Sequence, residues 1–389
     1  MVGKRIDFDT LYNSKKHQTF LNDVVTSTPV PSETSRRTIL SEERRDWLME
    51  EVSWIKQHMY SEVDEYLTCV RKGRGRIQLK KEDRPFVFEI YQRYYKELEK
   101  AGIQTIDMIC EQVFANRKKI SDMYRYDLVL LDEAQDLPLN KLLIARELAT
   151  LSVTIAADFA QKIYHSGFTW KEIGLDIKGK GSQKLKGTFR NTKQIALLAN
   201  SLQCRNTEEF EDGDLTPLEL PEREGPLPRL IYCQSPHEEA ATLIGILQKI
   251  LDDAPESTVG VFARDYEQML QFGNILRNGN IPYEQAKKKG ETTFLKPGIK
   301  LITYHSAKGL EFDQVILPFV DDTYFPYTIK SSVSSNEALE DLMNNARSLL
   351  FVGMTRAHQM LYILTTDGDV CKPSPLLEEL DHTKMDIVR

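Results

Sequence analysis

Two adjacent acids, Asp132 and Glu133, directly follow the apolar run at residues 128–131. A buried strand that ends in two acids is typical of nucleotide hydrolases, in which one carboxylate binds Mg²⁺ and the other orients the attacking water. The loop that commonly grips the phosphates, G-x-x-x-x-G-K-S/T, does not occur in the sequence. The acids therefore predict part of a hydrolytic site, with the capping of a following helix as the alternative.

Four further polar segments stand beside predicted strands or helices, at residues 158–164, 188–192, 303–312 and 349–357. Two of them contain an arginine, Arg190 and Arg356. A guanidinium suits a polyphosphate, because its planar fork matches phosphate oxygens better than an ammonium does. Taken alone, each arginine is explained as well by a weak surface ion pair.

The spacing of apolar residues indicates the elements that position these side chains. Residues 47–98 have helical periodicity, whereas short apolar runs alternate with helices after Tyr126, as in a parallel sheet. This pattern predicts an α/β fold. Strands are predicted at residues 128–131, 153–157, 230–232, 259–262, 299–303, 315–317 and 361–364, and helices at 139–148 and 238–251.

Composition limits the class of protein. The 389 residues carry a net charge of -7, which argues against a uniformly basic nucleic-acid coat but allows a local cationic groove. The five cysteines form no C-x-x-C pair, and no apolar run is long enough to span a membrane. We therefore expect a cytoplasmic protein with reduced thiols and no membrane partner.

In their order, the segments from residue 128 onward resemble motifs II to VI of the UvrD/Rep-type superfamily 1 DNA helicases. The resemblance covers about residues 85–365. It implies two RecA-like parallel-sheet domains, of which the first is N-terminally incomplete because the Walker A segment is absent. The expected domains are a weakly ordered leader (1–40), a helical segment inserted in the first motor domain (41–120), the rest of that domain (121–185) and a second RecA-like domain (186–389).

The resemblance implies that ATP and Mg²⁺ are the cofactors. Asp132 would coordinate Mg²⁺, and Glu133 would polarise the attacking water. Gln161 would sense the γ-phosphate, which Arg190 and Arg356 would contact.

One further acid, Glu311, is implied as the acceptor of a hydrogen bond from the ribose. It follows Lys308 and Gly309 in the same segment. A solvated surface glutamate is the alternative, and Asp136 is better explained as a helix-start residue than as a metal ligand.

Single-stranded DNA, or a 3′-tailed duplex, is the partner that the resemblance implies. Tyr164, Thr303 and His305 match residues that contact DNA in the family. The sequence departs from the family after Tyr164, where Phe168 or Trp170 is a candidate for base stacking or for the core. The basic runs at residues 71–81 and 287–289 are candidates for phosphate contacts or for solvated loops.

Two readings of the function remain. In the first, the chain is a truncated or split ATP-dependent DNA helicase or translocase of 3′ to 5′ polarity, and a separate chain carries the Walker A segment. In the second, it is a non-hydrolysing module that binds nucleic acid or protein. Either way, absence of the phosphate-loop strand is expected to expose apolar side chains and strand edges around residues 128–131.

Overall fold

The computed structural model describes residues 14–69, 71, 79–157, 183, 190–203, 220–285, 296–325 and 336–389. They form two compact units, one of which holds the described residues up to 157 and the other those from 183 onward. The division lies close to residue 186, where the sequence predicts a boundary. None of the helices in these residues is both long and apolar enough to cross a membrane.

Helices make up most of the first unit. In the described residues they are α1 (Ser14–Thr26), α2 (Thr34–Ile39), α3 (Arg45–Gln57), α4 (Val63–Thr68), α5 (Arg84–Lys100), α6 (Ile106–Ala115) and α7 (Leu139–Leu148). On α5, Val87, Tyr91, Tyr94 and Leu98 are buried at the spacing of one helical face. This face packs with α3 in one hydrophobic core.

The part of residues 1–40 that the structure describes differs from the predicted weakly ordered leader. Leu21, Val24 and Val25 on α1 and Ile39 on α2 are buried in the core of the first unit. The reason is amphipathic spacing, because residues 21, 24 and 25 share one helical face. The Ser, Thr and Pro content of the segment obscured this short apolar stripe.

A two-stranded parallel sheet follows these helices, formed by β1 (Tyr126–Leu131) and β2 (Ala149–Ile155). Val129 lies opposite Val153 in the register. The helix α7 covers one face, where Leu131 and Ile155 pack against a small core. The helix has the bounds that the sequence predicts, whereas β2 begins earlier than predicted.

The other face of this sheet is apolar and exposed. Leu128 and Leu130 are 63% and 75% exposed, and their register partners Ser152 and Thr154 are exposed too. Parallel sheets are ordinarily covered on both faces. The exposure of apolar side chains in residues 128–131 is therefore confirmed.

The second unit contains a seven-stranded parallel sheet of order β5-β6-β4-β7-β8-β3-β9. Its strands are β3 (Arg229–Cys233), β4 (Thr258–Ala263), β5 (Tyr283–Gln285), β6 (Gly298–Thr303), β7 (Phe312–Leu317), β8 (Ala357–Thr366) and β9 (Asp386–Val388). Its helices in the described residues are α8 (Lys193–Gln203), α9 (Pro236–Asp253), α10 (Tyr266–Asn278) and α11 (Asn336–Met354). The predicted α/β class is confirmed by these parallel sheets and helices.

The central strands are buried on both faces because helices flank the sheet. Val259, Val261 and Phe262 of β4 are at most 1% exposed. All five strands predicted in this unit are present, and among its described residues only the short edge strands β5 and β9 were missed. Edge strands carry too few apolar residues to stand out in a sequence.

One short connection, residues 304–311, runs from the end of β6 to the start of β7. These strands are not neighbours, because β4 lies between them. Because both strands run parallel to β4, the connection passes from the carboxyl edge of the sheet to its amino edge. It is well packed: Tyr304 and Ala307 are fully buried, and a Cβ on Gly353 would lie only 2.6 Å from Tyr304 Cε1.

Candidate functional site

The two predicted acids stand at the carboxyl end of β1. Asp132 is exposed, and its Oδ1 accepts a hydrogen bond of 2.9 Å from the Glu133 amide. The backbone then turns sharply, because Glu133 has φ 51° in the left-handed region. Non-glycine residues in this region are costly and cluster at functional sites. The amide of Ala134 donates to the Ala156 carbonyl, which ties the turn to the end of β2.

Gln135 fixes the Glu133 side chain. Its Nε2 donates to Glu133 Oε2 at 2.5 Å, and Gln135 itself is buried. The glutamine therefore helps to orient the Glu133 carboxylate. The sequence assigned no role to Gln135, although its place two residues after Glu133 in a tight turn was the available signal.

Mg²⁺ fits the donor set at Asp132. Within the described ranges, no group of three or more His, Cys, Asp or Glu side chains forms a cage for a metal. Mg²⁺ usually takes one or two carboxylates and completes its shell with water and substrate phosphates. An exposed single aspartate at a strand end suits such a shared site, and Asp132 would hold the ion while the ion neutralises phosphate charge.

In the second unit, three charged or polar side chains meet at the amino edge of β7 and β8. Arg190 forms an ion pair with Glu311, and His358 Nε2 lies 2.7 Å from Glu311 Oε2. We call these residues the Arg190–Glu311–His358 cluster. Each is about one-third exposed, so a ligand can reach them. Burial opposes ionisation of Glu311, but His358 and Arg190 together hold its pKa below the usual value.

The sheet and a buried asparagine hold this cluster together. Phe312 lies opposite Ala357 in the register of β7 and β8, which places Glu311 beside His358. Asn191 donates from Nδ2 to the carbonyls of Thr355 and Ala357, at 3.0 and 2.7 Å. Arg190 is therefore anchored next to the segment that carries His358. Sequence reasoning missed both Asn191 and His358, since only the fold brings them together.

Arg356 belongs to the same region but faces the interior. It is fully buried, its Nε donates to the Val352 carbonyl at 3.2 Å, and one Nη donates to the Leu310 carbonyl at 3.4 Å. The structure thus brings Arg356 to the segment of Glu311. Contact of its guanidinium with a phosphate stays a prediction.

Lys308 and Gly309 lie in the connection that ends at Glu311. Gly309 is exposed with φ +80°, a conformation that favours glycine. Lys308 is half-buried in the turn before it. Their contact with a nucleotide also stays a prediction.

Thr303 and His305 lie at the opposite, carboxyl edge of the same sheet. Thr303 Oγ1 accepts from the Ser306 amide at 3.2 Å, which shapes the turn. Burial and the charge of Arg264 lower the pKa of His305 to about 4. His305 is therefore neutral at physiological pH, and Arg264, which the sequence did not single out, supplies positive charge there.

Several predicted residues lie outside the described residues: Gln161, Tyr164, Phe168, Trp170, and the runs at residues 72–78 and 287–289. Arg71 is described, and the structure favours a structural role for it. Its Nη2 lies 2.8 Å from Glu51 Oε2, and both side chains are buried. Arg71 therefore does not point to solvent as a phosphate contact would.

Two family models match the chain. The UvrD/REP helicase N-terminal domain matches residues 7–168, and the UvrD-like helicase C-terminal domain matches residues 284–368. The first match contains Asp132 and Glu133. The second contains Thr303, Glu311 and Arg356.

Curated relatives match parts of the sequence. The ATP-dependent DNA helicase PcrA of Bacillus subtilis is 41% identical over 80 residues, which cover 21% of this chain and 10% of PcrA. DNA helicase II of Rickettsia typhi is 32% identical over 137 residues, which cover 31% of this chain and 20% of that helicase. A probable DNA helicase of Mycoplasma pneumoniae is 24% identical over 254 residues, which cover 61% of this chain and 43% of that protein. The matches thus span less than half the length of each of these relatives.

Among solved structures, the C-terminal domain of a possible DNA helicase from Lactobacillus plantarum WCFS1 is similar to part of the chain. The two align with a TM-score of 0.38 and 18% sequence identity, and the alignment covers 52% of this chain and 99% of the Lactobacillus plantarum chain.

Proposed function

Since the chain belongs to the UvrD/Rep-type helicase family, we propose that it forms part of an ATP-dependent DNA helicase or translocase that moves 3′ to 5′ on single-stranded DNA or 3′-tailed duplex. One observation carries the proposal. Glu133 lies in a left-handed turn at the end of β1, next to Asp132, and its carboxylate accepts a hydrogen bond from a buried glutamine. A binding module has no chemical use for an oriented carboxylate beside a metal ligand.

In this proposal Asp132 binds Mg²⁺ and Glu133 accepts a proton from the attacking water. Gln161, Arg190 and Arg356 meet the γ-phosphate, whose charge spreads over oxygens that guanidinium groups match. Glu311 accepts a hydrogen bond from a ribose hydroxyl, with Lys308 and Gly309 beside it in the sequence. These assignments rest on the family resemblance and on the presence of Arg190 and Glu311 in one cluster.

DNA is proposed to contact Tyr164, Thr303 and His305. Arg264 supports this assignment, because a cation near Thr303 and His305 attracts the phosphate backbone. A protein that acts on DNA in this way would work in the cytoplasm, which the free cysteines of the described residues, Cys69, Cys110, Cys233 and Cys371, also favour.

The phosphate-binding loop is proposed to lie on a polypeptide segment outside this sequence. The exposed face of β1 and β2 supports this. Burying Leu128 and Leu130 fully would yield about 1–2 kcal/mol each, since both are already partly covered. A segment that pairs with the sheet edge and covers this face would restore the two-sided cover that parallel sheets need.

ATP hydrolysis by the purified chain, fused to the Walker A segment of a relative and measured with and without single-stranded DNA, tests the proposal. The Glu133→Gln variant should lose hydrolysis but keep nucleotide binding, because the amide preserves the shape and cannot accept the proton. Glu89→Gln is the matched control, since Glu89 is an exposed acid of the same unit. Equal loss of binding and hydrolysis in Glu133→Gln would contradict the water-activating role.

The second candidate function is a non-hydrolysing module that binds nucleic acid or protein. The missing phosphate loop and the exposed Leu128 and Leu130 favour it. It predicts no DNA-stimulated hydrolysis even after a Walker A segment of a relative is fused to the chain. Hydrolysis gained in that fusion, and lost again on Glu133→Gln, would exclude it.

A further inference from the structure

The Arg190–Glu311–His358 cluster poses a problem for nucleotide binding. Arg190 is assigned to a phosphate, yet its guanidinium is already paired with Oε1 of Glu311. The other carboxylate oxygen, Oε2, contacts His358. Because an ionised carboxylate only accepts hydrogen bonds, His358 Nε2 carries the proton in this contact. Glu311 thus bridges a cation and an imidazole.

A triphosphate must compete with Glu311 for Arg190. It offers several oxygens and more negative charge than one carboxylate, so it can displace Glu311. The ion pair is one-third exposed, and such pairs are weak enough to exchange. Removal of Arg190 would leave Glu311 with a single partner.

That remaining partner is fixed by the sheet. His358 lies in β8 and Glu311 directly precedes β7, and the pairing of Phe312 with Ala357 holds the two backbones side by side. Arg190 has no such pairing to Glu311, and only its neighbour Asn191 is anchored. The two halves of the cluster therefore differ, since one contact is tied to the sheet and the other is made by a side chain that can swing away.

We propose that Glu311 holds Arg190 in reserve until a triphosphate binds, and that His358 is the positioning residue that keeps Glu311 in place when Arg190 leaves. The inference rests on the proposed function in assigning Arg190 to a phosphate. It adds a competition inside the site and a role for His358.

Inorganic tripolyphosphate is the probe, because it lacks a ribose and so reports on Arg190 without the predicted ribose contact of Glu311. Its affinity for the full chain is measured by titration calorimetry. Glu311→Gln should tighten binding about two- to fivefold, the range that an ion pair with this exposure supports. Asp369→Asn is the control, since it removes one exposed negative charge of the same unit beyond the carboxyl end of β8, at the edge of the sheet opposite the cluster.

His358 is tested with two variants. His358→Ala should weaken tripolyphosphate binding, because Glu311 then has Arg190 as its only partner and holds it more tightly. His358→Gln keeps an N–H donor and should restore the affinity of the unmodified chain. A role in folding alone would not be rescued in this way, and thermal unfolding of all four variants identifies any that fail to fold.

The outcomes separate this inference from the proposed function. Equal affinities in Glu311→Gln and Asp369→Asn would overturn the competition, as would an absence of binding in both. Equal affinities in His358→Ala and His358→Gln would overturn the positioning role. ATP hydrolysis is measured separately. If the chain hydrolyses ATP but all variants bind tripolyphosphate with the same affinity, the proposed function stands and only this inference is wrong.

Discussion

Replacing Glu239 with Gln is expected to stabilise the second unit at pH 8 but hardly at pH 5. Glu239 lies in the first turns of α9 and is fully buried. Its carboxylate accepts hydrogen bonds from the Phe319 amide and from Thr366 Oγ1. Burial is the main reason that its pKa is raised from 4.5 to about 7, and the nearby Asp321 adds to the effect.

The sign and size of the change in the free energy of unfolding follow from the linkage between proton binding and folding. A carboxyl with a raised pKa contributes stability that is fully present below pH 4.5 and is lost as the pH rises through about 7. At 1.36 kcal/mol per pKa unit, ionisation of Glu239 costs the folded state up to about 3 kcal/mol at pH 8. Gln cannot ionise, and it can keep both hydrogen bonds because Thr366 can turn its hydroxyl to accept one.

Hydrogen exchange of peptides from β8 and α9, corrected for intrinsic rates, gives the local free energy of opening at each pH. The Glu239→Gln variant should gain up to about 3 kcal/mol at pH 8 and less than about 1 kcal/mol at pH 5. Exposed Glu256→Gln is the control and should change little at either pH. A gain or loss for Glu239→Gln that is equal at both pH values would refute the reasoning, because it would not depend on charge.

Two further expectations concern the DNA edge and the exposed sheet face. The lowered pKa keeps His305 neutral above about pH 6, so His305→Asn should leave the salt dependence of single-stranded DNA binding unchanged. His305→Lys adds a charge and should steepen the slope of log affinity against log salt concentration by about 0.7. A shallower slope in His305→Asn would show that the imidazole is charged. Leu130→Thr should change the free energy of unfolding by less than about 0.5 kcal/mol, because the side chain is mostly exposed, and a loss above about 2 kcal/mol in urea unfolding would mean that the chain itself covers this face.

Much of the fold followed from local patterns in the sequence. The strands of the second unit are apolar over their whole length because both faces are buried, so β4, β6, β7 and β8 were predicted near their observed positions. The helix α1 was missed, because its few apolar residues form a core only with α3 and α5. A stripe of this kind carries little signal until its packing partner is known.

The candidate site divides in the same way. Asp132, Glu133 and Glu311 were recognised because their neighbours in sequence form motifs. Gln135 and His358 contact those acids, and a contact between β7 and β8 leaves no trace in a single sequence. The burial of Arg356 likewise depends on how α11 enters β8, which spacing alone does not reveal.

The packed connection between β6 and β7 has a consequence for how the second unit responds to its ligands. Thr303, a proposed DNA contact, directly precedes it, and its last residue, Glu311, belongs to the Arg190–Glu311–His358 cluster. Tyr304 and Ala307 are fully buried, so a shift of the connection would disturb side chains that are packed in the core. If DNA alters nucleotide affinity through this connection by some factor, thermodynamic reciprocity requires the nucleotide to alter DNA affinity by the same factor. The affinity for DNA and the affinity for the nucleotide would then be set by the same conformational equilibrium.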